Sequence, residues 1–441
     1  MRTARLWGAL FAGLLMGCDF VAALPGGQDS AVPAKASESA EDAEPPLAAI
    51  VKAPTTAELL RSCPLESPNF SDLHKLLDEK EFAKVDAALD TMLEGHRRTP
   101  ACESHLWEAL SSFCSLNFAH LDPWAVARPD SWGAFSARGC RWINTGYERR
   151  GTALAKDVTD AQWAGMRDAF ARAKSDLMRA LELEPDGYVA YGYAINLLKG
   201  SGGPGQIRKW LDALVARDPY NYGVRQRAMK SLDPRWGGSI EEMRQVAADA
   251  QGFADGNPRL RILPGYAEAE AAAIEWRAGR TKQAARGYRR ALAHGGNADW
   301  YSSLTGCLAQ LGFWAKLVET SEEWMAELGD DAQVRYWRAR GRTELGDLAG
   351  ALVDLDQAHA EGPRDAYTLR LRGLVRWKLG RLREAAEDLR LAVEIDPDNA
   401  WAIEQLRTLE ASHAPSVADP QLQADRTLPA LSRLDLKPAN K

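Results

Sequence analysis

The chain has 441 residues, of which 46% are hydrophobic and 26% are charged, and its formal net charge at pH 7 is −6. This length is sufficient for two or three ordinary domains or for one long repeat body. An acidic chain is not expected to bind nucleic acid, because nucleic-acid-binding proteins carry a basic face. The chain also contains 15 tryptophans, and each is expected to be a packing residue between helices.

The first 17 residues predict a signal peptide. Arg2 and Arg5 precede an apolar run over 6–15, which is too short to remain in a membrane as a spanning helix. The run leads into Leu15-Met16-Gly17-Cys18, which resembles the lipobox of bacterial lipoproteins. The resemblance implies that Cys18 is lipidated and anchors a periplasm-facing protein to the inner or the outer membrane of a bacterial cell envelope, with no other membrane contact. The alternative is an ordinary secretory signal that contains an incidental cysteine.

Two segments are expected to be disordered. Residues 18–52 are rich in Ala, Pro, Ser and Gly, and they cannot bury enough apolar surface to offset the entropy of ordering. We therefore expect a flexible tether that holds the folded body away from the membrane. Residues 412–441 contain four prolines and no apolar period, which predicts a disordered tail.

Residues 53–262 predict a helical domain. A glycine-rich turn over 200–205 lies between two of its helices, and we do not expect it to bind phosphate, because no strand precedes it and no Lys-Ser or Lys-Thr pair follows it. Apolar residues at helical spacing predict helices over about 70–79, 82–94, 103–116, 131–150, 160–183, 188–199 and 204–217.

A motif rich in proline and glycine interrupts these helices. It reads Pro234-Arg235-Trp236-Gly237-Gly238-Ser239 and is followed by Glu242-Met243, so that Ser239 and Glu242 form a capping-box pattern. Together with Trp124–Ser131 and Gly139–Gly151, the motif resembles a bacterial family known as domain of unknown function 4034. The resemblance covers about residues 70–260 and implies a helical, repeat-like fold without an established activity.

Residues 263–411 predict an array of helical repeats, because one set of residue types recurs after a shift of 34 positions. Small residues allow two helices to approach closely, glycine ends the first helix, and proline closes the second. This pattern resembles the tetratricopeptide repeat. We therefore predict an all-α fold, an α-solenoid of antiparallel helical hairpins. The recurring residues are Ala339, Gly346, Ala351, Leu355, Ala358 and Pro363, and then Gly373, Gly380, Ala385, Leu389, Ala392 and Pro397.

The repeat over 298–331 departs from this pattern. Gly312 keeps the register, but Leu317, Ser321 and Trp324 replace the usual Ala, Leu and Ala. Large side chains at positions for small ones are expected to change the packing locally.

Disulfides are expected if the chain lies in the cell envelope. Cys114 and Cys140 lie on consecutive predicted helices and form the first candidate pair, and Cys63 with Cys102 forms the second. Buried free thiols are the alternative. A zinc site that combines Cys102 and Cys114 with His105 and His120 is less favoured, because no Cys-x-x-Cys motif accompanies them. We expect no metal and no cofactor.

The sequence favours a binding protein over an enzyme. It contains no Gly-x-Ser-x-Gly nucleophile motif, and we predict no catalytic residues. The favoured function is a membrane-anchored scaffold that binds an envelope protein or peptide in its concave groove. The alternative is a cell-envelope enzyme or carbohydrate-binding protein that uses Trp-rich surfaces.

The resemblance to tetratricopeptide repeats implies that the first helix of each hairpin lines the concave face. Aromatic residues and arginines on these helices are typical of interface hot spots. The Lys and Asn pairs that hold a terminal carboxylate in some members of this family are absent, so we expect an extended acidic or aromatic-containing segment as the ligand. The alternative is that these side chains are only solvated or packing residues. The predicted partner-binding residues are Tyr266, Trp276, Tyr336, Arg340, Tyr367, Arg370 and Trp377, with Gln333, Thr343 and Leu374 on the same faces.

Overall fold

The computed structural model describes residues 51–66, 68–153, 155–199 and 203–412. The predicted signal peptide, Cys18 and nearly all of the tether lie outside the described residues. The same is true of the tail from residue 413 and of residues 200–202 in the glycine-rich turn. The chain divides into two compact units, the first ending at Asp330 and the second beginning at Asp331.

The first unit contains fifteen α-helices within its described residues. They are α1 (Thr56–Leu60), α2 (Phe70–Asp78), α3 (Phe82–Arg98), α4 (Glu103–Phe113), α5 (Phe118–Ala127), α6 (Trp132–Arg150), α7 (Asp160–Leu183), α8 (Tyr188–Leu198), α9 (Pro204–Val215), α10 (Gly223–Ser231), α11 (Ile240–Gln251), α12 (Leu263–Arg277), α13 (Thr281–Ala293), α14 (Ala298–Leu311) and α15 (Trp314–Leu328).

The second unit contains five helices within its described residues. They are α16 (Ala332–Leu345), α17 (Leu348–Glu361), α18 (Ala366–Lys378), α19 (Leu382–Ile395) and α20 (Ala400–Ser412).

The predicted all-α fold class is confirmed. The described part of the chain contains α-helices and short 3-10 turns and no strand. Consecutive helices pack as hairpins, most extensively α6 with α7, α12 with α13, α16 with α17, and α18 with α19. Within the described ranges, no helix combines the length and the apolar character that crossing a bilayer requires.

The division between the units lies later than the domain boundary that we predicted at 262/263. Helix α12, which follows the predicted boundary, packs against α10 and α11 of the preceding region. The hydroxyl of Tyr266 lies 2.9 Å from the hydroxyl of Tyr222 and contacts the amide of Gln226. These contacts make the helices on both sides of residue 262 part of one unit.

Glycines with positive φ end the first helices of four hairpins, as the repeat pattern predicts. Gly279, Gly312, Gly346 and Gly380 have φ values of 76°, 74°, 88° and 76°. Residues with a Cβ rarely adopt this left-handed conformation, so glycine is favoured at each of these turns. The spacing of the glycines therefore sets the length of the first helix in each hairpin.

The paired helices cross closely at the small residues. A Cβ added to Gly373 would lie 3.0 Å from the Leu389 side chain and 3.3 Å from the Ala385 carbonyl oxygen. In the first unit, a Cβ added to Gly139 would lie 2.9 Å from the Leu177 side chain. The long α6–α7 hairpin thus crosses in the same way as the α18–α19 hairpin. The loop that connects α6 to α7 is, however, much longer than the loop that connects α18 to α19.

A buried aspartate next to each of these crossings is held by an arginine of the facing helix. Arg372 donates two hydrogen bonds to Asp388, Nε to Oδ2 at 2.9 Å and Nη2 to Oδ1 at 2.7 Å. Arg376 donates a third to the same carboxylate at 2.8 Å. We call this arrangement the Arg–Asp clamp. A carboxylate can stay charged inside the protein when it is paired and hydrogen-bonded in this way.

The clamp recurs in two other hairpins. Arg338 donates to Asp354 at 3.0 and 2.6 Å, and Asp354 is only 1% exposed. In the first unit, Arg138 donates to Asp176 at 2.8 and 2.7 Å. The three aspartates directly precede Leu177, Leu355 and Leu389, which occupy the same position of the repeat.

The altered repeat over 298–331 keeps a filled core by exchanging large and small residues. Trp324 stands where the other repeats have alanine, is 1% exposed and stacks on Tyr301 with ring centroids 5.7 Å apart. Ser321, fully buried, stands where they have leucine. The large Trp324 ring thus lies next to Ser321, whose side chain is smaller than the usual leucine.

We predict that Asp388→Ala lowers the free energy of unfolding by about 3–5 kcal/mol, because it leaves two arginines without their buried acceptor. The matched control is Asp356→Ala. Asp356 contacts the same two arginines at 3.2 and 3.3 Å but its side chain is 48% exposed, so its loss should cost less than about 1 kcal/mol. Urea unfolding followed by circular dichroism measures both values. Equal losses in the two variants would contradict a structural role for the buried carboxylate.

Candidate functional site

Four of the predicted binding residues lie together on the first helices of the two hairpins in the second unit. Tyr336 and Arg340 are on α16, and Tyr367 and Arg370 are on α18. The rings of Tyr336 and Tyr367 meet edge to face with centroids 6.4 Å apart, and the Arg370 guanidinium lies 4.5 Å from the centre of the Tyr367 ring. We call these four residues the strip.

The two arginines of the strip lie close to the hydroxyl of Tyr336. Burial raises the pKa of Tyr336, and the positive charges of Arg340 and Arg370 oppose this rise. Arg340 lies 3.9 Å from Glu344, and Arg370 lies 3.9 Å from Asp396. Acidic side chains therefore border the strip, and it is not uniformly basic.

The remaining predicted residues of the second unit differ in exposure. Trp377 is half-buried and packs against the core around Ala385, Leu389 and Leu406. Thr343 is only 3% exposed and donates its hydroxyl to the Ala339 carbonyl at 2.7 Å. We predicted Thr343 on the outward face, but in the structure it points into the helix packing.

The two predicted residues of the first unit are engaged in contacts within that unit. Tyr266 shares its hydrogen bonds with Tyr222 and Gln226, and its ring meets Trp300 edge on at 5.0 Å. Trp276 donates its indole N–H to Gln310 at 3.0 Å. Both side chains therefore contribute to packing between helices.

The structure joins both candidate cysteine pairs. Cys63 is bonded to Cys102 and Cys114 to Cys140, while Cys307 is a buried free thiol. Burial raises the pKa of the Cys307 thiol to about 12. Because the thiolate is the reactive form, this cysteine is expected to be inert.

The arrangement around these cysteines does not fit the zinc alternative. Cys102 and Cys114 are both used in disulfides, and His120 contacts Asp78 at 2.8 Å. Within the described ranges, no group of three or more His, Cys, Asp or Glu side chains is placed to hold a metal ion.

The motif over 234–239 builds a rigid turn that exposes a tryptophan. Asp233 accepts hydrogen bonds from the backbone N–H of Arg235 at 2.8 Å and from its guanidinium at 2.6 Å. A Cβ added to Gly238 would lie 2.0 Å from the Leu232 carbonyl oxygen, so only glycine fits there. The turn leaves Trp236 43% exposed, with the Lys199 ammonium 4.5 Å from its ring centre.

Two further sets of charged residues were missed by sequence reasoning. The Arg–Asp clamp could have been found, because Arg338 and Asp354 recur as Arg372 and Asp388 with the 34-residue period. Arg227 and Lys230 on α10 give a weaker signal, since they are spaced by one helical turn in a region without the regular glycines.

Comparison with known proteins identifies two parts of the chain. Residues 69–208 match the family described as Domain of unknown function (DUF4034), and residues 371–399 match the Tetratricopeptide repeat. Both predicted resemblances are thus confirmed. The search of curated proteins found no match.

Several solved tetratricopeptide structures are similar to this chain. YrrB, described as a TPR protein with an unusual peptide-binding site, is 16% identical, with 46% of this chain and 100% of YrrB covered and a TM-score of 0.33. A tetratricopeptide repeat protein from Parabacteroides merdae is 14% identical, with 55% and 93% covered and a TM-score of 0.28. The APC/C hetero-tetramer Cut9-Hcn1 is 12% identical, with 78% and 84% covered and a TM-score of 0.35.

The match over 371–399 identifies a tetratricopeptide repeat within the second unit. Proteins built from tetratricopeptide repeats typically bind protein or peptide partners and are typically not catalysts.

We predict that the double variant Cys114→Ser, Cys140→Ser loses about 3–4 kcal/mol of unfolding free energy, because the disulfide closes a loop with a sequence separation of 26. Urea unfolding of the variant and the wild type gives the difference. Peptide mapping without reduction should recover Cys114 linked to Cys140 and Cys63 linked to Cys102. Alkylation of all four thiols in unreduced, denatured protein would contradict both bonds.

Proposed function

We propose that this protein is a non-catalytic scaffold anchored to the bacterial cell envelope, and that its second unit binds an extended acidic or aromatic-containing segment of a protein partner along the strip. The observation that carries the proposal is the side-by-side arrangement of Tyr336, Tyr367 and Arg370 on two adjacent first helices.

The chemistry of the strip supports a peptide ligand. Tyrosine and arginine dominate interface hot spots, because they combine a large apolar surface with hydrogen-bonding groups. A guanidinium stacked on an aromatic ring keeps its edge N–H groups directed outward, where they match a carboxylate. The tyrosines are half-buried, so less side-chain entropy would be lost when they bind a partner.

The expected ligand is an internal segment, not a chain terminus. The Lys and Asn pairs of the tetratricopeptide carboxylate clamp are absent from this chain. Aromatic rings and arginines spaced along two helices would instead contact successive side chains of an extended segment.

Membrane anchoring rests on the sequence around Cys18, which lies outside the described residues. Lipidation of this thiol and a flexible segment over 18–52 would hold the folded units at the membrane surface on the periplasmic side. Anchoring by lipid alone requires no membrane-spanning helix.

The carbohydrate-binding alternative is less well supported. It depends on Trp-rich surfaces, and of the tryptophans that the structure describes only Trp236 is more than a third exposed. Trp124, Trp300 and Trp324 are fully packed between helices. A single exposed indole beside a lysine is a smaller surface than that alternative requires.

We predict that the double variant Arg340→Glu, Arg370→Glu loses the partners that the wild type captures from detergent-solubilised membranes, because reversed charge would repel an acidic segment. The matched control is Arg364→Glu, Arg383→Glu, which makes the same charge change at exposed sites of the second unit. Quantitative mass spectrometry of the captured proteins compares the three. Equal capture by both variants, with wild-type circular dichroism, would rule out the strip as the binding site.

We predict that Cys18→Ala abolishes lipidation, because the substitution removes the acceptor thiol. Metabolic labelling with a clickable fatty acid measures the lipid attached to the wild type and the variant. Cys307→Ala serves as the control and should keep the label, since Cys307 is buried. Label that persists in the Cys18 variant would contradict the lipobox interpretation.

A further inference from the structure

The first unit contains a group of cations that form no ion pair among its described residues, although the chain as a whole is acidic. The group consists of Lys199 after α8, and Arg227 and Lys230 on α10. Within the part of the chain that the structure describes, no carboxylate lies within ion-pair distance of these three side chains, whereas most arginines of the first unit do have such a partner. We call the three residues the cationic cluster.

The cationic cluster is held in place by aromatic rings. The Arg227 guanidinium lies 3.4 Å from the centre of the Trp107 ring and donates to the Gly223 carbonyl at 3.2 Å. A Cβ added to Gly192 would lie 2.3 Å from the Trp107 ring and 3.0 Å from Arg227 Cδ. Glycine at this position therefore leaves the space that the stacked pair needs.

The turn that follows α10 borders the cationic cluster. Lys199 lies over the exposed ring of Trp236, and Arg235 next to that ring is bonded to Asp233. Asp233 is consequently engaged by an arginine; its charge opposes the lowering of the Lys199 pKa, but it forms no ion pair with Lys199. The turn over 234–239 thus places an exposed indole beside an ammonium group that forms no ion pair with any described residue.

The charges of the cluster act on one another. Burial lowers the pKa of Lys230, and the nearby Arg227 lowers it further, while Asp299 opposes the change. Burial also lowers the pKa of Lys199, followed by the repulsion from Arg235 and Lys230. Groups with like charges and restricted solvation repel one another, and a bound anion would relieve this repulsion.

The carboxylate of Glu103, a buried acid near Arg227, already accepts several hydrogen bonds. Glu103 accepts hydrogen bonds from the backbone N–H groups of Tyr222 at 3.0 Å and Gly223 at 2.5 Å, and from the Trp107 indole at 3.2 Å. Its charge stabilises the start of α10 from below Trp107. Glu103 forms no ion pair with Arg227, although its charge opposes the lowering of the Arg227 pKa.

We propose that the cationic cluster, with Trp236 at its edge, is a second binding site that takes a carboxylate-rich segment of a partner protein. Lysine and arginine charges separated by one helical turn suit successive Asp or Glu side chains, and the exposed indole can contact an apolar neighbour. This site lies in the first unit and does not depend on the strip of the second unit.

The test measures binding of a fluorescent peptide with the sequence of residues 37–46, Ser-Glu-Ser-Ala-Glu-Asp-Ala-Glu-Pro-Pro, as a defined carboxylate-rich probe. Fluorescence anisotropy with the full chain is compared between the wild type and Lys199→Gln, Lys230→Gln. The variant should bind at least about tenfold more weakly, because two of the three positive charges of the cluster are lost. Glutamine keeps most of each side chain, so the packing against Trp236 is retained.

The matched control is Lys174→Gln, Lys209→Gln, which removes two exposed lysines from the same unit and should bind the probe as the wild type does. Because the strip is itself proposed to bind acidic segments, the comparison is repeated in the Arg340→Glu, Arg370→Glu background, where Lys199→Gln with Lys230→Gln should still weaken binding of the probe. Equal weakening in the cluster variant and the lysine control would overturn the site. Absence of probe binding to the wild type, or binding of inorganic phosphate without binding of the peptide, would overturn the assignment of a carboxylate-rich ligand.

Discussion

The structure depends on close crossings between paired helices, and at three of these crossings a buried carboxylate is paired with an arginine of the facing helix. Removing a charge from water is costly unless the partner and its hydrogen bonds replace the lost solvation. Bidentate pairing of Asp176, Asp354 and Asp388 meets this condition. Because the guanidinium is planar and reaches across from the facing helix, the pair also selects one register between the two helices.

Other hairpins solve the same packing problem without charge. At the α12–α13 crossing, Gly287 stands where Asp354 stands in the later repeat, and a Cβ there would lie 2.6 Å from that of Ala272. Two small residues thus bring the helices together directly. In the α14–α15 hairpin, Trp324 stands where other repeats have alanine, and Ser321 stands where they have leucine. The clamp is therefore one of several solutions, and its presence marks a hairpin in which a polar pair, not apolar contact alone, defines the register.

Much of the fold follows from local patterns, and the parts that do not follow are those that combine distant residues. The glycine period predicts the turns at Gly346 and Gly380 because a left-handed residue is a local requirement. By contrast, Arg138 and Asp176 belong to different long helices with no fixed spacing, so only the packed structure brings them together. The positions of the strip were predictable because the register of the first helices recurs with the 34-residue period, which makes Tyr336 and Arg370 equivalent positions. The cationic cluster was not predictable, because its residues come from separate elements: Lys199 follows α8, Arg227 and Lys230 lie on α10, and Trp236 lies in the next turn.

The contacts of the basic residues separate those that hold the fold from those that can serve a partner. Arg372 is bound to a carboxylate that is 4% exposed, and exchanging that acceptor for a ligand would leave a charge buried without a partner. Arg370, two residues earlier and therefore on a different face of α18, has a 3.9 Å contact with Asp396, which is 44% exposed. Such a contact is worth little in water, so a partner's carboxylate can replace it at small cost. Lys230 forms no ion pair within the described ranges, so an arriving carboxylate would displace no bound acid there, although Asp299 acts on Lys230 from a longer distance.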